Sequence, residues 1–309
     1  MKHTILGAGG SIGNALTHEL LKTKQEIRLV SRSKYSIAGT ESFKADISSY
    51  EETLNSVKGS GIVYLCVGLP YDSKIWSDLW PKIMQNSIDA CKSVEAKLIF
   101  FDNVYMYGKV DGKMTETTPY NPCSRKGEIR AKIAMQLEDE IKQKNIEAII
   151  ARAADLYGPY STKTSLPYVL AIDKLMNGKK AQWMLDVCKL HSYTYTIDSA
   201  KGLMLLSNQN DCFNQIWHLP TYNPAIDGKS FIDLIAKELG VSPNYTVLRK
   251  WMLKMFGYFS KTIFESYEML YQSEFDYYFD STKFNDFFNY KPTSYHEGIH
   301  KTIEFLKKK

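Results

Sequence analysis

Gly7, Gly10 and Gly13, in the run TILGAGGSIGNAL, have the type and spacing to hold a phosphate. The first glycine lets the chain turn sharply at positive φ. The second removes a side chain that would block a pyrophosphate, and the third lets a helix pack closely on a strand. The amides around Ser11 and Ile12 then open the helix, where its dipole favours an anion. An apolar strand precedes the glycines and a helical stretch follows them, which is the setting that makes such a triplet a dinucleotide-binding loop. The run IRLVSRS ends on Ser31, Arg32 and Ser33. An acidic residue there would hold ribose hydroxyls, whereas a guanidinium with two hydroxyls suits a 2′-phosphate. NADP is therefore expected ahead of NAD, with a plain surface role for Arg32 as the alternative.

Other chemistries find little support in the residues. The five cysteines (Cys66, Cys91, Cys123, Cys188 and Cys212) are scattered, with no C-x-x-C. Reduced thiols are expected rather than a disulfide framework or a zinc site. His296 and His300 stand four apart in a helical stretch without a supporting carboxylate pattern, so no metal is expected. With 39 basic and 34 acidic residues in 309, the net charge is +5 and spread along the chain, apart from Lys307, Lys308 and Lys309. A nucleic-acid partner is not implied. No apolar run reaches bilayer length and no leader pattern precedes the glycines, so neither a membrane partner nor export is expected. The expected setting is cytoplasmic.

The elements that must position these residues follow from periodicity. Strands are expected over 3–7, 26–31, 42–45, 62–67, 97–102 and 146–152, alternating with helices over 11–21, 50–57, 73–92 and 126–144. Strands separated by such helices predict an α/β fold, a Rossmann-type doubly wound parallel sheet. IVYLCV and KLIFF lack apolar–polar alternation, as strands buried on both faces should. Beyond about Gly158 the strands become short and irregular. The aromatic-rich stretch 242–290 reads either as a small lobe covering the substrate or as the core of a second subdomain. The expected division is 1–160 for dinucleotide binding and 161–309 for a smaller substrate lobe, joined through one sheet.

Further motifs extend the picture. Ala45-Asp46-Ile47 follows the third strand, Cys66-Val67-Gly68 the fourth, and Asn86 lies in the next helix. Later come Arg152-x-x-Asp155-x-Tyr157-Gly158-Pro159 and HSYTYTID from His191 to Asp198. With the glycine spacing, these resemble the extended and atypical short-chain dehydrogenase/reductases, which include nucleotide-sugar epimerases and dehydratases. The resemblance spans roughly residues 3–200. It implies that Asp46 and Ile47 contact adenine, that Cys66, Val67 and Gly68 lie under the adenosine ribose, and that Arg152 lies beside the nicotinamide. It also implies that Tyr105, Asp155, Tyr157 and His191 face the substrate.

The same resemblance exposes a departure. Where the family carries a serine and then Tyr-x-x-x-Lys, this chain has Asn103, Lys126 and Arg130. One reading makes Lys126 the proton-transfer group, its ammonium disfavoured by burial and by Arg130, with Asn103 on a substrate oxygen and Arg130 on the ribose. The other has Lys126 and Arg130 hold cofactor phosphate or a substrate carboxylate without turnover. Tyr105 and Tyr107 offer a third possibility, a phenol standing in for the missing tyrosine, with Tyr107 ranked below Lys126. The implied functions are an NAD(P)-dependent oxidoreductase or epimerase/dehydratase-like enzyme for a polar carbonyl- or hydroxyl-bearing small molecule, a nucleotide sugar being one candidate, or a catalytically silent NADP(H) sensor. Relatives often dimerise through the helices read here as 73–92 and 126–144. The stripe Ile129, Ile133 and Leu137 would serve a homodimer or the core equally well.

Overall fold

In a computed structural model that describes residues 1–161 and 165–308, seven strands form one parallel sheet. They are β1 (Lys2–Leu6), β2 (Glu26–Ser31), β3 (Glu41–Lys44), β4 (Ile62–Leu65), β5 (Lys97–Asp102), β6 (Ala148–Arg152) and β7 (Gln215–His218). Their spatial order is β7-β6-β5-β4-β1-β2-β3. The order reverses at β1, where β4 lies on one side and β2 on the other, the position at which such sheets bind ligands. Lys309 of the basic tail lies outside the described residues.

Two cores account for the missing alternation in the strand sequences. In β4, Val63 and Leu65 face one core while Ile62 and Tyr64 face the other, and all four are buried. The first core is covered by α2 (Tyr50–Val57), α3 (Ser73–Ser93) and α4 (Arg125–Lys142); the second by α1 (Ser11–Lys22) and α5 (Thr196–Ser207). Ile129, Ile133 and Leu137 of α4 all point into the first core, which settles which of their two possible roles they serve. Burying such a side chain contributes about 1.5–3 kcal/mol.

Past β6 the chain builds short paired strands. Asp155–Tyr157 pairs in parallel with Tyr193–Tyr195, and Ala181–Met184 with Tyr245–Leu248. A third core forms between α6 (Gly228–Leu239), the helical turns of 168–176 and the C-terminal helix, Tyr295–Lys307. Two short helices, α7 (Lys250–Gly257) and α8 (Lys261–Ser266), stand against one another. They lead into Tyr267–Glu274, where Glu268 bonds the start of α4.

Candidate active site

The glycine loop connects β1 to α1 with little steric room. Gly7 has φ +96°, and a Cβ there would fall 2.8 Å from Val67 Cα. A Cβ on Gly13 would fall 2.8 Å from the Gly7 carbonyl oxygen. Gly10 caps α1 without any side-chain acceptor, and the Asn14 amide is bonded back to the Gly10 carbonyl at 2.9 Å. The amides of Ser11, Ile12 and Gly13 thus open the helix, where first-turn N–H groups lack intrahelical partners. A Cβ on Gly68 would meet nothing within 4 Å, so the strand-end side of the loop is open. These features fit a dinucleotide pyrophosphate.

Tyr35, which sequence reasoning missed, borders the loop. Its phenol donates to Asn14 Oδ1, and its ring would lie 3.5 Å from a Cβ on Gly9. Asn14 in turn donates to the Gly9 carbonyl at 3.1 Å. Arg32 is exposed, and its charge reaches Asp46. Asp46 accepts from the Ser48 amide and hydroxyl at 3.0 and 2.8 Å. Those bonds, with Arg32 as a smaller contribution, hold its carboxyl below the usual range. Asn86 ties α3 to the Ile47 carbonyl at 3.0 Å, fixing the loop on which Asp46 sits. Cys66 is buried, which pushes its thiol up to about 12, so it packs as a small apolar group.

At the carboxyl ends of β5, β6 and β7, parallel register sets Asp102 opposite Arg152 and Arg152 opposite His218. All three are fully enclosed. Arg130 of α4 donates Nε to Asp102 Oδ1 at 2.7 Å and also bonds it through Nη2, with the guanidinium 4.4 Å from the Trp80 ring centre. Arg152 donates to the Tyr107 oxygen at 2.8 Å and to Tyr120, whose phenol bonds Glu138. Two guanidiniums are thereby matched by two carboxylates, one of them through a phenol. His218 faces the Asp280 carbonyl through Nδ1 at 2.7 Å, so Nδ1 carries the proton and Nε2 accepts from Tyr107 at 2.8 Å. Burial drives His218 down to about 3, consistent with this neutral form.

These contacts place several expected site residues in the interior. Arg152 and Tyr107 serve the buried network and leave no exposed face for a cofactor or substrate. Tyr157 is fully enclosed in the third core among Tyr195, Phe231 and Tyr295. Arg130 is spent on Asp102, and Asn103 uses Oδ1 to accept from the Tyr105 amide at 3.1 Å in a local turn. Their motifs look alike in sequence whether the side chain turns inward or toward a ligand.

Lys126 has a different surrounding from the one expected. Nζ lies 2.6 Å from Glu265 Oε2, 2.8 Å from Glu268 Oε1 and 2.9 Å from Ser73 Oγ, over the Tyr71 ring. The like-charge pressure expected from Arg130 is replaced by two carboxylates. Burial works against ionisation of Glu265, but bonds from Lys126 and Ser73 outweigh it and lower its pKa. Lys126 has no exposed surface. Glu265 and Glu268 lie some 140 residues from Lys126 in sequence, a juxtaposition no local spacing could signal.

A cavity of about 400 Å³ lies between the strand ends and the later lobe. Tyr71, Tyr105, Asp155 and His191 line it, joined by Asp186 and Lys189. His191 Nε2 is 3.1 Å from Asp155 Oδ2, and its ring stacks between Tyr193 and Tyr277 at 4.4 and 4.7 Å. Burial raises the phenols of Tyr71 and Tyr105, and the Asp155 charge adds to this. Three of the expected substrate residues, Tyr105, Asp155 and His191, thus share one surface. Thr262 and Ser266 of α8 close another side of the cavity, while Lys126 does not reach its lining.

Sheet order and glycine loop define a fold of the doubly wound, dinucleotide-binding class. The chain belongs to the NAD dependent epimerase/dehydratase family, whose model matches residues 3–216. Comparison with curated protein sequences finds no match. Among solved structures, the chain is similar to a dTDP-glucose 4,6-dehydratase from Streptomyces venezuelae with NAD bound. That alignment has TM-score 0.81 and 15% identity, covering 100% of this chain and 97% of the other. A UDP-glucuronic acid 4-epimerase from Bacillus cereus in complex with NAD gives TM-score 0.80 and 18% identity over 100% and 99%. A UDP-glucose 4-epimerase from Thermus thermophilus, also with NAD, gives 0.80 and 16% over 99% and 99%. At these identities the likeness is one of fold.

Proposed function

We propose that the protein is an NAD(P)-dependent oxidoreductase or epimerase/dehydratase-type enzyme, preferring NADP. Its substrate would be a polar small molecule bearing a carbonyl or hydroxyl, with a nucleotide sugar as one candidate. The observation that carries this reading is the pairing of an uncapped glycine-loop helix with the Asp155–His191 cavity at the same carboxyl edge of the sheet. Gly7, Gly10, Ser11, Ile12 and Gly13 would hold the pyrophosphate, Asp46, Ile47, Cys66, Val67 and Gly68 the adenosine, and Arg32 a 2′-phosphate. A bound nicotinamide dinucleotide supplies hydride exchange.

The chain's own residues supply orientation and proton handling. Asp155 fixes the ring of His191, which can give or take a proton at the cavity wall. Tyr71 and Tyr105 can donate to a substrate oxygen. Lys126 remains our candidate for proton transfer at Nζ, on condition that α8 withdraws Glu265. The division at residue 160, a homodimer through the outward faces of α3 and α4, and a cytoplasmic setting belong to the same proposal. Among the described residues no helix is long and apolar enough to cross a membrane.

The enclosure of Lys126 favours a second reading, a silent NADP(H)-binding sensor. Fluorescence titration of NADPH and NADH, followed by a carbonyl-substrate screen with Lys126→Ala and Asp155→Asn, separates the two. Binding with turnover that either variant abolishes supports the enzyme. Binding without turnover favours the sensor, and absence of nucleotide binding overturns both.

A further inference from the structure

The segment from Arg249 to Phe264 is apolar on both sides. Leu253 of α7 packs inward with Leu248 and Leu270. On the outside Trp251 is 62% exposed, Phe259 88% and Phe264 66%, with Met255, Phe256 and Tyr258 also exposed. Trp251, Met255 and Tyr258 follow at intervals that keep them on one face. A helix that buries one apolar residue and turns aromatic and basic residues outward has the pattern of an interfacial helix. This one is held outward: Lys250 pairs with Glu274 and Lys261 with Asp72 at opposite ends of the pair of helices. Exposed apolar side chains in such a contiguous group mark an interaction site.

Charge identifies what the face meets. Residues 245–264 contain Arg249, Lys250, Lys254 and Lys261 and no acidic residue. Lys250 and Lys261 are paired with Glu274 and Asp72, so the charge offered to a partner is that of Arg249 and Lys254. Arg249 and Lys254 are exposed beside the aromatics. A second copy of the same patch would bring like charges together, whereas an anionic surface is complementary. Tryptophan, tyrosine and phenylalanine interleaved with basic residues are the chemistry of the bilayer interface, where rings sit at headgroup level and each base near an anionic surface contributes about 1 kcal/mol.

We propose that α7, α8 and the turn between them seat the protein on the surface of an anionic lipid bilayer. This inference is independent of the proposed activity. The sequence-based expectation of no membrane partner rests on the absence of a spanning run, which an interfacial seat does not require.

Of the five tryptophans, Trp76, Trp80, Trp183 and Trp217 are buried, so a change in emission on vesicle binding reports Trp251. The full chain is titrated with vesicles of phosphatidylcholine alone and of phosphatidylcholine mixed with phosphatidylglycerol, with co-sedimentation alongside. Expected are a blue shift and sedimentation with the anionic vesicles only. Arg249→Ser with Lys254→Ser should weaken this by tenfold or more, at about 1 kcal/mol per base. Trp251→Ser with Phe259→Ser should abolish sedimentation without changing the melting temperature. Failure of the native chain to sediment with anionic vesicles overturns the proposal, as does undiminished binding by both double variants. A dimer in light scattering that the aromatic variant dissolves, with vesicles ignored, overturns it in favour of a second copy.

Discussion

Lys126 Nζ and Glu265 Oε2 stand 2.6 Å apart, joining the start of α4 to a helix whose other face walls the cavity. Glu268 makes a second contact at 2.8 Å, and its other oxygen accepts from the Arg125 amide at 2.7 Å. Lys126, a candidate for proton chemistry on the family resemblance, is therefore also the clasp of the 261–268 segment.

That clasp predicts an asymmetry between its two sides. Glu265→Ala leaves an enclosed ammonium with a weakened partner set, so unfolding free energy should fall by about 3 kcal/mol. Lys126→Met replaces the cation by an apolar side chain of similar length and leaves two carboxylates that retain some solvent. It should cost less than half as much. Urea unfolding of both variants checks the order, and a larger loss for Lys126→Met would refute it.

Asp102 predicts a still larger effect. Asp102→Ala strands Arg130 and weakens the setting of Arg152, both enclosed. Breaking a buried pair by removing one partner costs about 3–5 kcal/mol. Chemical denaturation should show that loss, with Arg32→Ala as an exposed control near zero.

His218 predicts the acid limb of stability. Its folded pKa lies near 3 against an ordinary 6.5, so the unfolded chain binds the extra proton between those values. Stability from this group is full above pH 6.5 and declines as pH falls toward 3, at about 1.4 kcal/mol per pH unit. His3, lowered to about 4 by burial first and by the N-terminal charge second, adds a parallel loss down to pH 4. In His218→Gln the slope of unfolding free energy between pH 4 and 6, the span common to both windows, should fall by one proton. An unchanged slope would show that His218 is not the titrating group.

Arg32 predicts cofactor choice. If its guanidinium holds a 2′-phosphate, one charge-assisted interaction of about 1.5–3 kcal/mol is at stake. Arg32→Ala should weaken NADPH binding by about 10- to 100-fold and leave NADH binding within a factor of two. Equal losses for both nucleotides would assign Arg32 a general role in the loop.

The sequence by itself determined the parallel sheet and the glycine loop. Both have local signals: fully apolar runs such as IVYL require burial on two faces, and a glycine triplet between strand and helix marks the loop, although the atoms that exclude a Cβ at Gly7 come from distant Val67. The family resemblance also pointed to Tyr105, Asp155 and His191, and the fold sets all three on the wall of one cavity. Only the tertiary structure decided which way the remaining polar side chains turn. Arg152 and Tyr107 face inward because parallel register sets Asp102 and His218 beside Arg152, where a charge must find a partner. Lys126 is surrounded by carboxylates because residues 265–268 return to the start of α4 from far along the chain. Contacts between elements so distant carry no spacing signature, and the burial that determines a charged group's chemistry exists only once they have packed.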